Sequence, residues 1–204
     1  MDALNTGIHY SSNELILRID ADDAMTSNRI KIQSDIMEKD ETLVLLGSQC
    51  LLIDTLGNII GKTGYPIGLL NNNWTFKSSC QLAHPSVIMR RSAVLKAGGY
   101  RKIFLSNEVD IAEDFDLWLR LAKLGKVENL DSCLTKYRQH PGQISSNFEK
   151  AQILATMYIS AVNSTEAKIT QYELKTKPKL EFSDFRQYKK IIYSQKNLLI
   201  RIQN

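Results

Sequence analysis

Apolar positions along the chain fall into short blocks whose period changes. Leu4 and Ile8 stand four apart in residues 2–12 and predict a helix that ends in the polar run Ser11-Ser12-Asn13. Leu15-Ile16-Leu17-Arg18-Ile19 follows with little alternation, the pattern of a strand buried on both faces of a parallel sheet. Ser27 or Asn28 is placed to cap a helix carrying Ile32 and Ile36 inward. Residues 43–54 read as strand, and Leu56-Gly57-Asn58 as the turn between hairpin arms. The Gly-, Asn- and Ser-rich stretch 61–79 predicts a loop, and Pro85 to Met89 a strand. Ser92 to Ala97 forms a short helix stopped by Gly98-Gly99. A helix spans 113–124, and beyond about 150 the pattern is helical, broken near Lys177-Pro178.

With 204 residues, 43% of them hydrophobic, the chain can bury one sizeable core. A charged fraction of 24% is ordinary for a globular protein and argues against general disorder. The net charge of +4 lies wholly in the tail, where residues 151–204 hold nine Lys/Arg against four Asp/Glu. Such a tail reads first as a solvated helical face, with peripheral membrane contact as the alternative; no nucleic acid is implied. Cys50, Cys80 and Cys133 form no disulfide or metal-binding spacing and read as reduced thiols of a cytoplasmic protein. No apolar run reaches a membrane span, and no signal-peptide pattern opens the chain.

The first chemical signal is Asp20-Ala21-Asp22-Asp23, directly after the first strand. Ligands of open α/β sheets bind beyond the carboxyl ends of the strands. Carboxylates crowded there repel unless a hard cation such as Mn²⁺ or Mg²⁺ sits among them. A calcium-binding loop starting at Asp20 is excluded, because Met25 and Lys31 stand where it needs Gly and Glu. A Mg²⁺-dependent phosphate-handling enzyme and a plain exposed acidic turn stay open at this point.

The second signal is Glu113-Asp114-Phe115-Asp116-Leu117-Trp118 at a helix start. At 100° per residue Asp114 shares an arc with Trp118, Leu121 and Ala122, the apolar face, while Glu113, Asp116, Arg120 and Lys123 share the polar one. A first-turn carboxylate is a natural cap. One turned toward the core edge is also placed to take a proton from a bound hydroxyl. Trp118 reads first as core and second as a sugar platform; His84 reads as structural before ligand. His140 and Arg138, among polar residues after a strand, are candidates for metal or phosphate.

In order and spacing, these segments resemble the family 2 glycosyltransferases of GT-A fold. The resemblance runs from about Leu4 to Ser145. It rests on Ile19-Asp20-Ala21-Asp22-Asp23, Leu46-Gly47-Ser48, His84-Pro85-Ser86-Val87, Arg90-Arg91-Ser92, Gly98-Gly99-Tyr100, Glu113 to Trp118, and Tyr137-Arg138-x-His140. It implies an α/β fold: a partial, Rossmann-like GT-A domain over residues 1–148, with a mostly parallel central sheet and flanking helices, then a helical basic tail over 149–204. It implies that Asp20, Asp22, Asp23, Arg138 and His140 bind the donor diphosphate, with Mn²⁺ or Mg²⁺ on Asp22, Asp23 and His140. Asp114 becomes the base of an inverting transfer of one sugar from a nucleotide-sugar donor to a glycan or lipid-linked acceptor. Glu113, Trp118 and His84 become acceptor contacts. The Q-x-x-R-W motif of processive synthases is absent, so a single sugar is added. The chain starts one helix before its D-x-D strand. The expectation is therefore a truncated enzyme, or one whose N-terminal nucleotide-binding half is a separate chain, with negligible transfer by 1–204 alone. A non-catalytic remnant is the alternative.

Overall fold

The computed structural model describes residues 2–72, 74–101 and 112–142, together with seven helical positions between 152 and 163. The boundary at 148/149, Lys177-Pro178 and the rest of the basic tail lie outside the described residues.

Helix α1 (Asp2–Tyr10) leads into strand β1 (Leu15–Leu17), then β2 (Ala24–Met25) and helix α2 (Arg29–Lys39). Strand β3 (Leu43–Ile53) turns through Asp54–Asn58 into β4 (Ile59–Lys62). The expected hairpin is present, its turn held by the Asp54 carboxylate, which accepts from the Leu56 and Asn58 amides at 2.9 Å each. Then follow β5 (Gly68–Leu69), α3 (Trp74–Ser78), a 3₁₀ turn at His84–Ser86, β6 (Ile88–Arg90), α4 (Arg91–Lys96), α5 (Glu113–Leu121) and β7 (Lys126–Arg138). α4 stops where expected: Gly98 and Gly99 adopt φ +86 and +67, and their amides close onto Leu95 and Val94 carbonyls.

The sheet runs β1-β6-β3-β7-β2, with β4 beside β3 and β5 beside β7. The long β3–β7 ladder is parallel, and the other pairings are antiparallel. The expectation of a mostly parallel sheet thus holds for its central ladder, within a mixed sheet. β1 is correspondingly not sandwiched between parallel neighbours. Among the described residues it pairs with β6 alone, antiparallel, and it is half-buried along its length.

Side-chain alternation splits the core across the sheet. Ile16 and Met89 face the larger cluster with Ile8, Val94, Phe115, Trp118 and Leu121; Leu15, Leu17 and Ile88 face the smaller one with Met37 of α2. A register irregularity at Leu43–Leu45 lets consecutive Val44 and Leu45 both enter the larger cluster. The inward line of α2 is Arg29, Gln33 and Met37, and Ile32 and Ile36 are only half-buried, so the expected inward pair is displaced by polar residues. The reason is carbonyl demand. Arg29 donates to the carbonyls of Pro85 (2.8 Å), Arg18 (2.9 Å) and Val87 (3.2 Å) and to the side-chain oxygen of Gln33 (2.9 Å); Gln33 in turn donates to Ser86 and Leu46 carbonyls. This network ties α2 to strand ends that would otherwise bury unpaired backbone oxygens. Burial lowers the Arg29 pKa to about 10.

β1 and β3 are both antiparallel to β6, and β3 is parallel to β7. The C-terminal ends of β1, β3 and β7 therefore emerge at one edge of the sheet, and the candidate chemistry gathers there.

Candidate functional site

The loop after β1 folds back on itself, with the Asp23 amide donating to the Asp20 carbonyl at 3.2 Å. Its three carboxylates have different environments. Asp20 is gripped by Arg18, whose two terminal nitrogens each donate to one carboxylate oxygen. Asp22 is the most open, its side chain 44% exposed. Asp23 turns inward: Oδ1 accepts the Arg138 amide at 2.8 Å, and Oδ2 is buried with no hydrogen-bond partner among the described residues. Burial, opposed by that amide and reinforced by Asp20 and Asp22, pushes the Asp23 carboxyl up to about 6.

β7 delivers His140 to the same place. Its Nε2 lies 3.3 Å from Asp22 Oδ2, and its Nδ1 accepts the Gly142 amide at 3.2 Å. With Nδ1 accepting, the ring proton sits on Nε2 and points to Asp22; a cation on Nε2 would require that proton to leave Nε2. Arg138, expected to bind the donor, is a strut: it donates to the carbonyls of Asp22 (2.8 Å), Asp54 (2.9 Å) and Thr55 (3.2 Å), locking the acidic loop to the hairpin. Among the described residues no group of three or more His, Cys, Asp or Glu is arranged to hold a metal ion.

Opposite stands the N-terminus of α5. Ala112, just before it, sits at φ 58, a left-handed conformation that costs energy in a residue with a Cβ. This turn aims the next residues at a cleft of about 460 Å³ lined by Arg18, Asp20, Asp22, His84, Glu113, Asp114 and His140, among others. Asp114 is half-buried; Oδ1 accepts the Phe115 amide at 2.7 Å and Oδ2 accepts the Cys80 thiol at 3.6 Å. Burial raises its carboxyl above the ordinary carboxylate range, against the pull of the Phe115 amide, the Cys80 thiol and Arg18.

Of the expected site residues, Asp20, Asp22, His84, Glu113, Asp114 and His140 meet in this cleft, while Asp23, Arg138 and Trp118 do not line it. Trp118 is corrected outright as an acceptor contact, because it is fully buried in the core. One helical turn beyond Asp114, it lies under the sheet-facing arc and meets the His84 ring edge-on, with centroids 5.7 Å apart. His84 faces the cleft, but its Nε2 shares a 2.8 Å hydrogen bond with Tyr100 Oη. Burial holds its pKa well below the usual range, so the ring is neutral. The expected polar placement of Asp116 is also wrong. It is buried, accepting from Arg101 Nε at 3.0 Å and Arg120 Nε at 2.9 Å.

Sequence reasoning missed Arg18, Tyr65, Cys80 and Tyr137 in the cleft lining. Arg18 was readable, since strand alternation puts it on the side of Asp20, two residues on. Nothing local marks Cys80, which arrives from the turn after α3.

No family profile matches the chain. The O-antigen biosynthesis glycosyltransferase WbnJ of Escherichia coli is 32% identical over 142 residues, covering 68% of this chain and 52% of that protein. The amylovoran biosynthesis glycosyltransferase AmsE of Erwinia amylovora is 27% identical over 156 residues, 74% of this chain and 56% of its own length. An E. coli UDP-Gal:alpha-D-GlcNAc-diphosphoundecaprenol beta-1,3-galactosyltransferase is 27% identical over 140 residues, 67% of this chain and 48% of that protein. In structure, S. aureus TarS 1–349 in complex with UDP-GlcNAc superposes with a TM-score of 0.56 at 15% identity, over 83% of this chain and 48% of that one. The chain spans about half the length of the curated relatives it matches. It is related by sequence to bacterial glycosyltransferases and shares a fold with TarS.

Proposed function

We propose that this relative of the bacterial glycosyltransferases supplies the diphosphate-binding and acceptor side of a family 2 enzyme of polysaccharide or O-antigen synthesis. The reaction is transfer of one sugar from a nucleotide-sugar donor to an acceptor hydroxyl, with inversion. The observation that carries this reading is the cleft itself, where an open carboxylate–imidazole pair faces a carboxylate of raised basicity across one cavity.

Asp22 and His140 fit Mn²⁺ or Mg²⁺ as a carboxylate and an imidazole converging to 3.3 Å, leaving other positions for phosphate oxygens and water. Asp20 is engaged by Arg18, and Asp23 presents its free oxygen inward, so those two shape the loop rather than lead the coordination. When bound, the cation would neutralise charge on the leaving diphosphate. Asp114 takes the proton of the acceptor hydroxyl; that oxygen bonds to the anomeric carbon from the side opposite the diphosphate, which leaves with the electron pair of the broken C–O bond. A raised proton affinity suits this role, because the base then gains more on accepting the proton. Glu113, beside it on the cleft wall, is the acceptor contact. The diphosphoundecaprenol in the relative's name makes a lipid-linked acceptor the first class to try, and the basic tail is then a peripheral membrane contact. Among the described residues no helix is long and apolar enough to cross a membrane.

Calorimetric titration of the chain with UDP-GlcNAc and with UDP, each in Mn²⁺, tests the diphosphate grip. Asp22→Ala and His140→Ala each weaken binding by about 10-fold or more, whereas Asp114→Asn leaves it intact. Unchanged affinity in the first two variants, or loss in the third, removes the assignment.

A further inference from the structure

Cys80 lies between α3 and the 3₁₀ turn, on the cleft wall beside Asp114. Its thiol is shared between the Leu82 carbonyl at 3.4 Å and Asp114 Oδ2 at 3.6 Å. The other Asp114 oxygen already accepts the Phe115 amide at 2.7 Å. The carboxylate is therefore held from both sides, by one strong donor and one weak one. Sulfur is a poor hydrogen-bond donor, so this second hold fixes orientation while withdrawing little electron density. A hydroxyl or an amide in its place would grip the carboxylate more tightly and make it a poorer base.

We infer that Cys80 is a positioning residue for Asp114, a weak donor that orients the carboxylate at little cost to its basicity. The inference rests on the proposed role of Asp114. The thiol keeps its proton for this work: burial, with the Asp114 charge beside it, holds Cys80 well above the ordinary thiol range, so it is a donor and not a nucleophile. The other groups around Asp114 are Glu113 on its own helix, Arg18 at the end of β1, and Tyr65 and Tyr100, whose hydroxyls stay protonated. Of these, Arg18 lowers the Asp114 proton affinity through its charge; the Phe115 amide and then Cys80 lower it by direct contact.

The test is the titration of the Asp114 side-chain carboxyl by NMR, in the full chain labelled with ¹³C-aspartate. Cys80→Ala removes the donor and moves the midpoint up. Cys80→Ser supplies a stronger donor and moves it down. A merely structural cysteine moves neither, or both the same way, and either result overturns the inference. Iodoacetamide alkylation of Cys80, followed by peptide mass spectrometry, needs no cysteine variant. Asp114→Asn speeds it several-fold by removing the charge and the acceptor that hold the thiol; an unchanged rate counts against the pair. Neither readout uses catalysis. Opposite midpoint shifts in a protein that transfers no sugar would uphold the pair and sink the functional reading instead.

Discussion

Asp114 and Asp116 lie two residues apart on one short helix, yet neutralising them should have opposite consequences. Asp116 is 5% exposed and is held by Arg101 and by Arg120, which are 29% and 12% exposed. Asp116→Asn keeps the shape but leaves two guanidinium groups facing each other without their shared anion. Breaking a buried pair in this way costs about 3–5 kcal/mol. Two features place this case at the lower end: Arg101 can reach water, and Arg120 still donates to the Ala97 and Gly99 carbonyls. We therefore expect a loss of about 3 kcal/mol, a large share of the ~5–15 kcal/mol that holds a domain together. With a urea m-value of about 2 kcal/mol/M, the unfolding midpoint drops by about 1.5 M. Asp114 behaves differently, because burial already disfavours its charge. Asp114→Asn should leave the midpoint unchanged or raise it at pH 7, as removal of a functional strain does. Urea unfolding followed by circular dichroism reads both. A shift below about 0.5 M for Asp116→Asn, or a clear loss of stability in Asp114→Asn, would refute the division into a structural and a chemical carboxylate.

Asp23 makes part of the stability fall as pH rises. Its pKa is raised from 3.8 to about 6, so the stabilisation from protonating it is complete below about 3.8 and is lost as pH rises through about 6. That rise is worth at most about 3 kcal/mol, and about 1 kcal/mol once solvent screening at this half-buried position is allowed for. Asp23→Asn should remove the dependence in metal-free unfolding curves measured between pH 4 and 7; a dependence that persists in the variant would assign it elsewhere. Gly47→Ala drives a methyl into Leu82 Cδ2 and to 2.7 Å from Asn129 Oδ1. Both neighbours are packed, so thermal unfolding should show a loss of about 1–3 kcal/mol, and a neutral variant would show that Leu82 moves freely.

Much of this was legible because it is local. The hairpin turn at Asp54–Asn58, the double-glycine stop after α4 and the helix beginning at Glu113 all follow from turn and cap chemistry within a few residues. The meeting of Asp22, His140 and Asp114 was legible through the order of motifs rather than any one of them. What escaped depends on distant partners. A three-residue apolar strand reads the same whether its neighbour is parallel or antiparallel, so the pairing of β1 with β6 carried no local sign. Arg29 and Gln33 break the apolar pattern of α2 because strand-end carbonyls from residues 18, 46 and 85–87 require donors. Asp116 was misplaced because Arg101, fifteen residues upstream, neutralises it inside. Trp118 shares the arc of Asp114, but only the first turn of α5 reaches the cleft.

Paramagnetic broadening by Mn²⁺ in the presence of UDP-GlcNAc, read on the amide signals of the ¹⁵N-labelled chain, tests the cleft most directly. Loss of signal should begin at Asp22, His140 and Gly142 and extend across the cavity to Ala112–Asp114, the side where the acceptor hydroxyl would meet its base. Broadening centred on other surface carboxylates, such as Asp35 or Glu38, with the cleft untouched, would contradict the account.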